Sequence, residues 1–190
     1  MFKTIRTGIL LFLMLTVITG IIYPLGVTIV ASLVFPKAAH GSVIYDGDQA
    51  VGSELLGQSF TTPNYLWGRP SATGPFPYNG LAGSGSNQAT TNPALVTVVT
   101  ERVAQLRAAD PGNNAAIPVD LVTASASGLD PHISPAAAKY QASRVARERN
   151  LTLEQVTSLI QQHTEGATLG FLGQPRVHVL RLNRALDAQK

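Results

Sequence analysis

The densest set of chemically capable side chains is Leu129-Asp130-Pro131-His132-Ile133-Ser134. A carboxylate, an imidazole and a hydroxyl are the groups of a nucleophilic triad. In a triad they converge in space from separate parts of the chain and do not come from adjacent residues. No G-x-S-x-G elbow accompanies them. Ser134 directly precedes Pro135, the pattern of a helix start with serine as N-cap and proline at the first helical position. The reading is therefore a turn at Asp130-Pro131 that includes His132, followed by a capped helix. An envelope hydrolase using His132 and a serine is the competing class.

Glycines raise a second possibility, a phosphate cradle. Gly80-Leu81-Ala82-Gly83-Ser84-Gly85-Ser86 supplies flexible backbone but lacks the Lys of a phosphate loop. Gly83-x-Gly85 is followed by Gln88 where a dinucleotide fingerprint needs its third glycine. His40, His132, His163 and His178 are too far apart to announce a zinc site. With no cysteine, thiolate chemistry, disulfides and a lipidated cysteine are excluded. No catalytic, cofactor or metal residue is expected. Tyr65, Trp67, Phe76 and Tyr78 could stack on a sugar or base, but few Lys or Arg lie near them. They are expected to pin a long loop, and a sensor or binding module using residues 61–92 is the third class.

Charge narrows the partners. The chain carries 14 Lys and Arg against 11 Asp and Glu. Two of the basic residues, Lys3 and Arg6, precede an apolar stretch, which leaves 12 against 11 from Lys37 onward. A nearly neutral domain lacks the basic patch that nucleic acid demands. Nucleic acid is not an expected partner.

The elements that must position these residues follow from periodicity. Val43–Tyr45 and Ala50–Val51 flank a turn-like Asp46-Gly47-Asp48-Gln49, a β-hairpin. Residues 61–92 show no helix or strand period. Asn92-Pro93 opens a helix with Leu95, Val99, Val103 and Leu106 as its stripe, ended by Asp110-Pro111-Gly112. Ser134-Pro135 opens another to about Asn150. Ala138, Ala142 and Val145 face inward on it, and Lys139, Arg144, Arg147 and Glu148 form a solvated face. Thr152-x-x-Gln155 is a capping box for a third helix with Leu153, Val156 and Ile160 inward. Val177–Leu182 alternates like a strand, and Asn183 is placed to cap a short final helix. The class is α+β: an N-terminal transmembrane helix, then one small mixed α/β domain.

Gly8–Phe35 is uncharged and, at about 1.5 Å per residue, reaches about 42 Å as a helix against a hydrocarbon core of about 30 Å. That is too long for a signal-peptide core, and Lys37-Ala38-Ala39 is a poor cleavage site. Lys3, Arg6 and the α-amine lie before the span, and only Lys37 follows it before Arg69. The positive-inside rule assigns residues 1–7 to the cytoplasm, 8–35 to the inner (plasma) membrane and 36–190 to the periplasmic side. Thr16, Thr19 and Gly20 are candidates for close packing against another membrane helix.

Several runs together resemble a known family. They include Val51-Gly52-Ser53-Glu54-Leu55-Leu56-Gly57-Gln58, Trp67-Gly68-Arg69-Pro70-Ser71-Ala72, Tyr78-Asn79-Gly80-Leu81 and Ser84-Gly85-Ser86-Asn87. Asn92-Pro93-x-Leu95, Asp120-Leu121-Val122-Thr123-Ala124-Ser125, Ser127–Ala138 and Leu169-Gly170-x-Leu172-Gly173-x-Pro175-Arg176-Val177 complete the set. This pattern resembles the KdpC family, the small subunit of Kdp high-affinity potassium-transporting ATPases, over nearly the whole chain. Ala126, Gln174 and His178 depart from the family's usual Gly, Glu and Asn. The resemblance implies a complex with a channel-like potassium subunit, a P-type ATPase subunit and a small membrane peptide. ATP, with Mg, would be used by the ATPase subunit, and K⁺ would be the transported ion. This chain would be an accessory subunit that assembles or stabilises the complex, described in the family also as a catalytic chaperone raising ATP affinity. Gly83–Gln88 also faintly resembles a signature sequence with which another ATPase class contacts nucleotide. Placed outside and without Lys or Arg between Arg69 and Arg102, the loop is expected to dock instead. Asn79, Gly83, Ser84, Gly85, Ser86 and Asn87 are its candidate interface residues.

Overall fold

A computed structural model describes residues 1–189 of the chain. It divides into two units, Met1–Ser53 and a second that begins at Glu54.

The first unit is built on one continuous apolar helix, Phe2–Val34, long and apolar enough to cross a membrane. It comprises α1 (Phe2–Val17), a π-helical turn (Ile18–Ile22) and α2 (Tyr23–Val34). Pro24 has no N–H to continue the i→i−4 ladder, and the widened turn directly precedes it, with the Tyr23 N–H bonding the Ile18 carbonyl. Phe35 precedes Pro36 and leaves the helical region at φ −129°, as a residue before proline tends to do. A short α3 (Pro36–Ala39) leads into the hairpin β1 (Val43–Asp46) and β2 (Gln49–Ser53), antiparallel with a bulge between Ile44 and Tyr45.

The second unit packs four helices on a small sheet. These are α4 (Pro93–Ala109), α5 (Pro135–Arg149), α6 (Leu153–Gln162) and α7 (Val179–Asp187). Strands β3 (His132–Ile133), β4 (Thr164–Glu165) and β5 (Arg176–His178) form an antiparallel sheet in the order β3-β5-β4. The caps expected at Asn92, Ser134 and Thr152 form. Asn92 accepts from Ala94 N–H, Ser134 from Ala137 N–H, and Thr152 and Gln155 close a capping box. Val145, Val156, Ile160, Val177, Leu182 and Leu186 are fully buried between α5, α6, α7 and β5. Each contributes roughly 1.5–3 kcal/mol on burial.

Four expectations are corrected. The strand expected over Val177–Leu182 stops at His178, where the ring Nδ1 accepts from Arg181 N–H and starts α7. Leu182 and Leu186 then face the core at helical spacing. Asn183 is therefore not a cap; it lies inside α7 at 1 % exposure. Leu153, at the first position of α6, points outward at 46 % exposure. Arg144, assigned to a solvated face, is 2 % exposed. Both polar side chains are buried for one reason, the loop they hold.

Candidate docking site

Residues 54–92 contain no regular strand or helix, so their backbone groups need partners elsewhere. From Pro63 to Trp67 those partners are side chains of α5 and α7. The Asn183 amide accepts from Leu66 N–H at 2.9 Å and donates to the Leu66 carbonyl at 3.0 Å. The Gln141 amide does the same for Trp67, at 2.9 and 3.1 Å. Two side-chain amides thus replace a neighbouring strand. Arg144 donates to the carbonyls of Pro63 and Tyr65 and to Gln141 Oε1, with its guanidinium 4.5 Å from the Trp67 ring centre. Burial pulls its pKa down to about 10, the nearby charge of Asp110 opposing, so it stays charged at neutral pH. Arg149 covers the Tyr65 ring at 4.7 Å, bonds the Asn64 carbonyl and pairs with Asp187 at 2.8 Å. Leu66 fills the core as a result.

The next stretch is held from the other side. Arg69 pairs with Asp130 at 3.3 Å and bonds the Ala124 carbonyl. Ser71 donates to the Gly128 carbonyl and accepts from Tyr78 N–H. Tyr78, at φ +58°, donates its hydroxyl to the Arg69 carbonyl. Burial, reinforced by the Asp130 charge and opposed by Arg69, pushes that phenol up to about 12.

The candidate interface residues fall into distinct roles. Asn79 is buried, its Nδ2 donating to the Gly74 carbonyl and its Oδ1 accepting from Leu81 N–H. It builds the turn rather than facing outward. Gly83, Ser84, Ser86 and Asn87 form an exposed crest, and Asn87 takes the left-handed conformation at φ +51°. Gly85 packs backbone on backbone: a Cβ there would stand 2.9 Å from the Ala126 carbonyl oxygen. Across the contact Gly128, at φ +67°, would place a Cβ 2.5 Å from the Ser84 carbonyl oxygen. In the first unit the Thr16 and Thr19 hydroxyls each bond the carbonyl four residues back at 2.8 Å, and a Cβ on Gly20 would meet nothing within 4 Å.

The Asp130–Ser134 cluster is also accounted for. Asp130 accepts from the His132 N–H and faces its Nδ1 at 3.2 Å. Burial works to raise the Asp130 pKa, but the bonds and charges of His132 and Arg69 hold it below the ordinary value. Ser134 caps α5 and donates to Asp120 Oδ1 at 3.2 Å. The Ser134 hydroxyl is thus turned to Asp120 and the α5 amides.

Sequence reasoning missed the clamps Gln141, Arg144 and Asn183. A signal existed for two of them: Gln141 and Arg144 interleave with Ala138, Ala142 and Val145 within a buried surface too wide for alanine alone. Another missed feature is surface apolarity. Leu81 is 99 % exposed beside the glycine crest, and Leu169 and Phe171 project from a tight turn closed by Thr168 and Leu172.

An apolar N-terminal helix followed by an α+β unit whose buried polar side chains hold a long irregular loop defines the class. The chain belongs to the KdpC family, described as the c chain of K⁺-transporting ATPases, whose pattern matches residues 5–188. A potassium-transporting ATPase KdpC subunit from Polaromonas naphthalenivorans is 60 % identical over 186 residues, covering 98 % of this chain and 95 % of the relative. The KdpC subunit of Methylococcus capsulatus is 62 % identical over 152 residues, 80 % of each chain. That of Polynucleobacter asymbioticus is 57 % identical over 177 residues, 93 % of this chain and 94 % of the relative.

Proposed function

We propose that this chain is a non-catalytic accessory subunit of a potassium-transporting ATPase complex. Its apolar helix anchors it in the inner membrane with the N-terminus inside, and its second unit docks outside on the channel-like and ATPase subunits. ATP and Mg are used by the ATPase subunit, and K⁺ passes through the channel-like one. The role of this chain is to assemble and stabilise the complex and so support the ATPase subunit. Family membership supplies the complex; the geometry suggests the docking element.

The carrying observation is Leu81. A leucine that is 99 % exposed follows a buried Asn79 whose side chain fixes the turn presenting it. A single exposed leucine is ordinary by itself, but on a backbone turn fixed by Asn79 and next to the exposed crest of residues 83–87 it offers a partner an apolar contact on an ordered backbone. Leu81→Ser is expected to weaken co-purification with the two large membrane subunits while leaving the unfolding midpoint of the full-length chain unchanged. Co-purification at the unaltered level would defeat the docking role. Orientation is tested separately. The chain has no cysteine, so Ser86→Cys reports alone. It should react with an impermeant thiol reagent from outside intact cells, and reaction only after the inner membrane is breached would reverse the topology.

A further inference from the structure

Arg102 is a half-buried cation without a counter-charge. It sits on α4, and its Nη1 donates to the Val122 carbonyl at 3.0 Å. Burial lowers its pKa, with no neighbouring acid opposing. Among the described residues no carboxylate lies within ion-pair distance of it. The other guanidinium nearby, Arg69, is already matched by Asp130. A desolvated charge without a partner is costly, and a guanidinium offers five donors, of which Val122 takes one.

Two clefts meet at this residue. One, of about 540 Å³, lies between α4 and residues 58–78, with Phe60, Trp67, Tyr78 and Leu106 among its walls. The other, of about 290 Å³, lies between α4 and the end of the glycine crest at Gly85, Ser86 and Gln88. Arg102 lines both. The exposed side-chain amide of Gln105 stands in the wall of the larger cleft, where it can bond a peptide group.

We propose that this face seats an acidic segment of a partner subunit, one Asp or Glu carboxylate on Arg102 and its flanking apolar side chains in the larger cleft. The proposal rests on the accessory-subunit reading and names the chemistry of its contact. Charge selects the ligand. One uncompensated guanidinium matches one carboxylate, whereas a triphosphate carries several charges and needs several donors. The cleft is largely apolar-walled, which suits side chains around the acid and not a polyanion. A planar carboxylate accepts two parallel N–H bonds from guanidinium, so the contact fixes register as well as charge.

The test uses the whole complex purified in detergent. A benzophenone side chain in place of Gln105 should, on illumination, cross-link to a peptide of a partner subunit that contains Asp or Glu. With that probe present, Arg102→Glu should reduce cross-link yield at least tenfold, while Arg102→Lys keeps at least half. Reversing the partner's acid to Arg should restore cross-linking to the Arg102→Glu chain. The cross-link in the complex with Arg102 intact does not depend on any variant folding. Cross-links only to lipid, or to a segment without an acid, overturn the proposal. So does a yield that ignores charge reversal, or saturable ATP binding by the full chain that Arg102→Gln abolishes. If the chain co-purifies but cross-links elsewhere, the cleft alone is wrong. If it co-purifies with no membrane partner, the subunit reading falls with it.

Discussion

Segments 63–67 and 83–87 belong to one irregular loop and are fastened in opposite ways. The first is held by large side chains reaching in from elsewhere, Gln141, Arg144, Arg149 and Asn183. The second is held by the lack of side chains, Gly85 lying against Ala126 and Gly128 against Ser84. The first is driven into the core with Leu66; the second stays on the surface as a crest. A loop can therefore be rigid without being buried, which is what a docking element requires, because ordering it on binding would cost affinity.

The largest effect is expected where the clamp is cut. Arg144→Ala removes bonds to Pro63, Tyr65 and Gln141 and leaves a buried void beside Trp67. A loss of about 3–5 kcal/mol is expected by denaturant unfolding of the full-length chain. A loss below about 1 kcal/mol would show that the clamp is incidental and the contrast between the segments false.

Next comes the crest. Gly85→Val puts a branched side chain where a single Cβ is already 2.9 Å from a carbonyl oxygen. Overpacking of this kind costs about 1–3 kcal/mol. Combined with Gly83→Val it should weaken complex assembly or potassium affinity and leave the ATP affinity of the assembled complex near its starting value. A clear fall in ATP affinity with assembly intact would mean that the crest serves nucleotide binding rather than docking.

Much of this arrangement was legible from local patterns and some was not. The apolar helix, the hairpin and the caps at Asn92, Ser134 and Thr152 depend on neighbours a few residues apart, and the sequence displays them. The clamps depend on partners far along the chain: Asn183 meets Leu66 across 117 positions and Arg144 meets Tyr65 across 79. Helical spacing puts Gln141 and Arg144 beside Ala138, Ala142 and Val145, but it names no partner for them. His178 is intermediate. Its alternating neighbours resemble a strand, yet its own ring nitrogen starts α7 and turns Leu182 to a helical register. At the crest, Asn79 and the glycines were visible as turn formers, but which of them face water follows only from contacts with residues 126–129.

The smallest expected effect is a pH dependence confined to the clamped side. His178 is buried, its Nε2 3.0 Å from the Glu54 carbonyl and its ring edge-on to His132 at 5.1 Å. Burial holds its pKa below the ordinary imidazole value. The Glu54 carbonyl and the Glu165 charge oppose this, and His132 and Arg181 add to it. Its neutral form is thus favoured in the folded chain. The unfolded chain binds the proton more readily, so stability is fully present above the unfolded imidazole value of about 6.5 and falls as pH drops through and below it. His178 caps the helix that carries Asn183, so protonation should loosen α7 and, with it, the Leu66 clamp. Hydrogen exchange at the Leu66 amide, corrected for the intrinsic rate at each pH, should therefore speed up between pH 7 and pH 5. The Leu81 amide, held by Asn79 within the crest turn, should show no such change. His178→Asn keeps a capping group without the titration and should flatten the Leu66 response. Equal acceleration at both amides, or a pH response that survives His178→Asn, would mean that acid acts on the whole unit and that the two segments are not separately fastened.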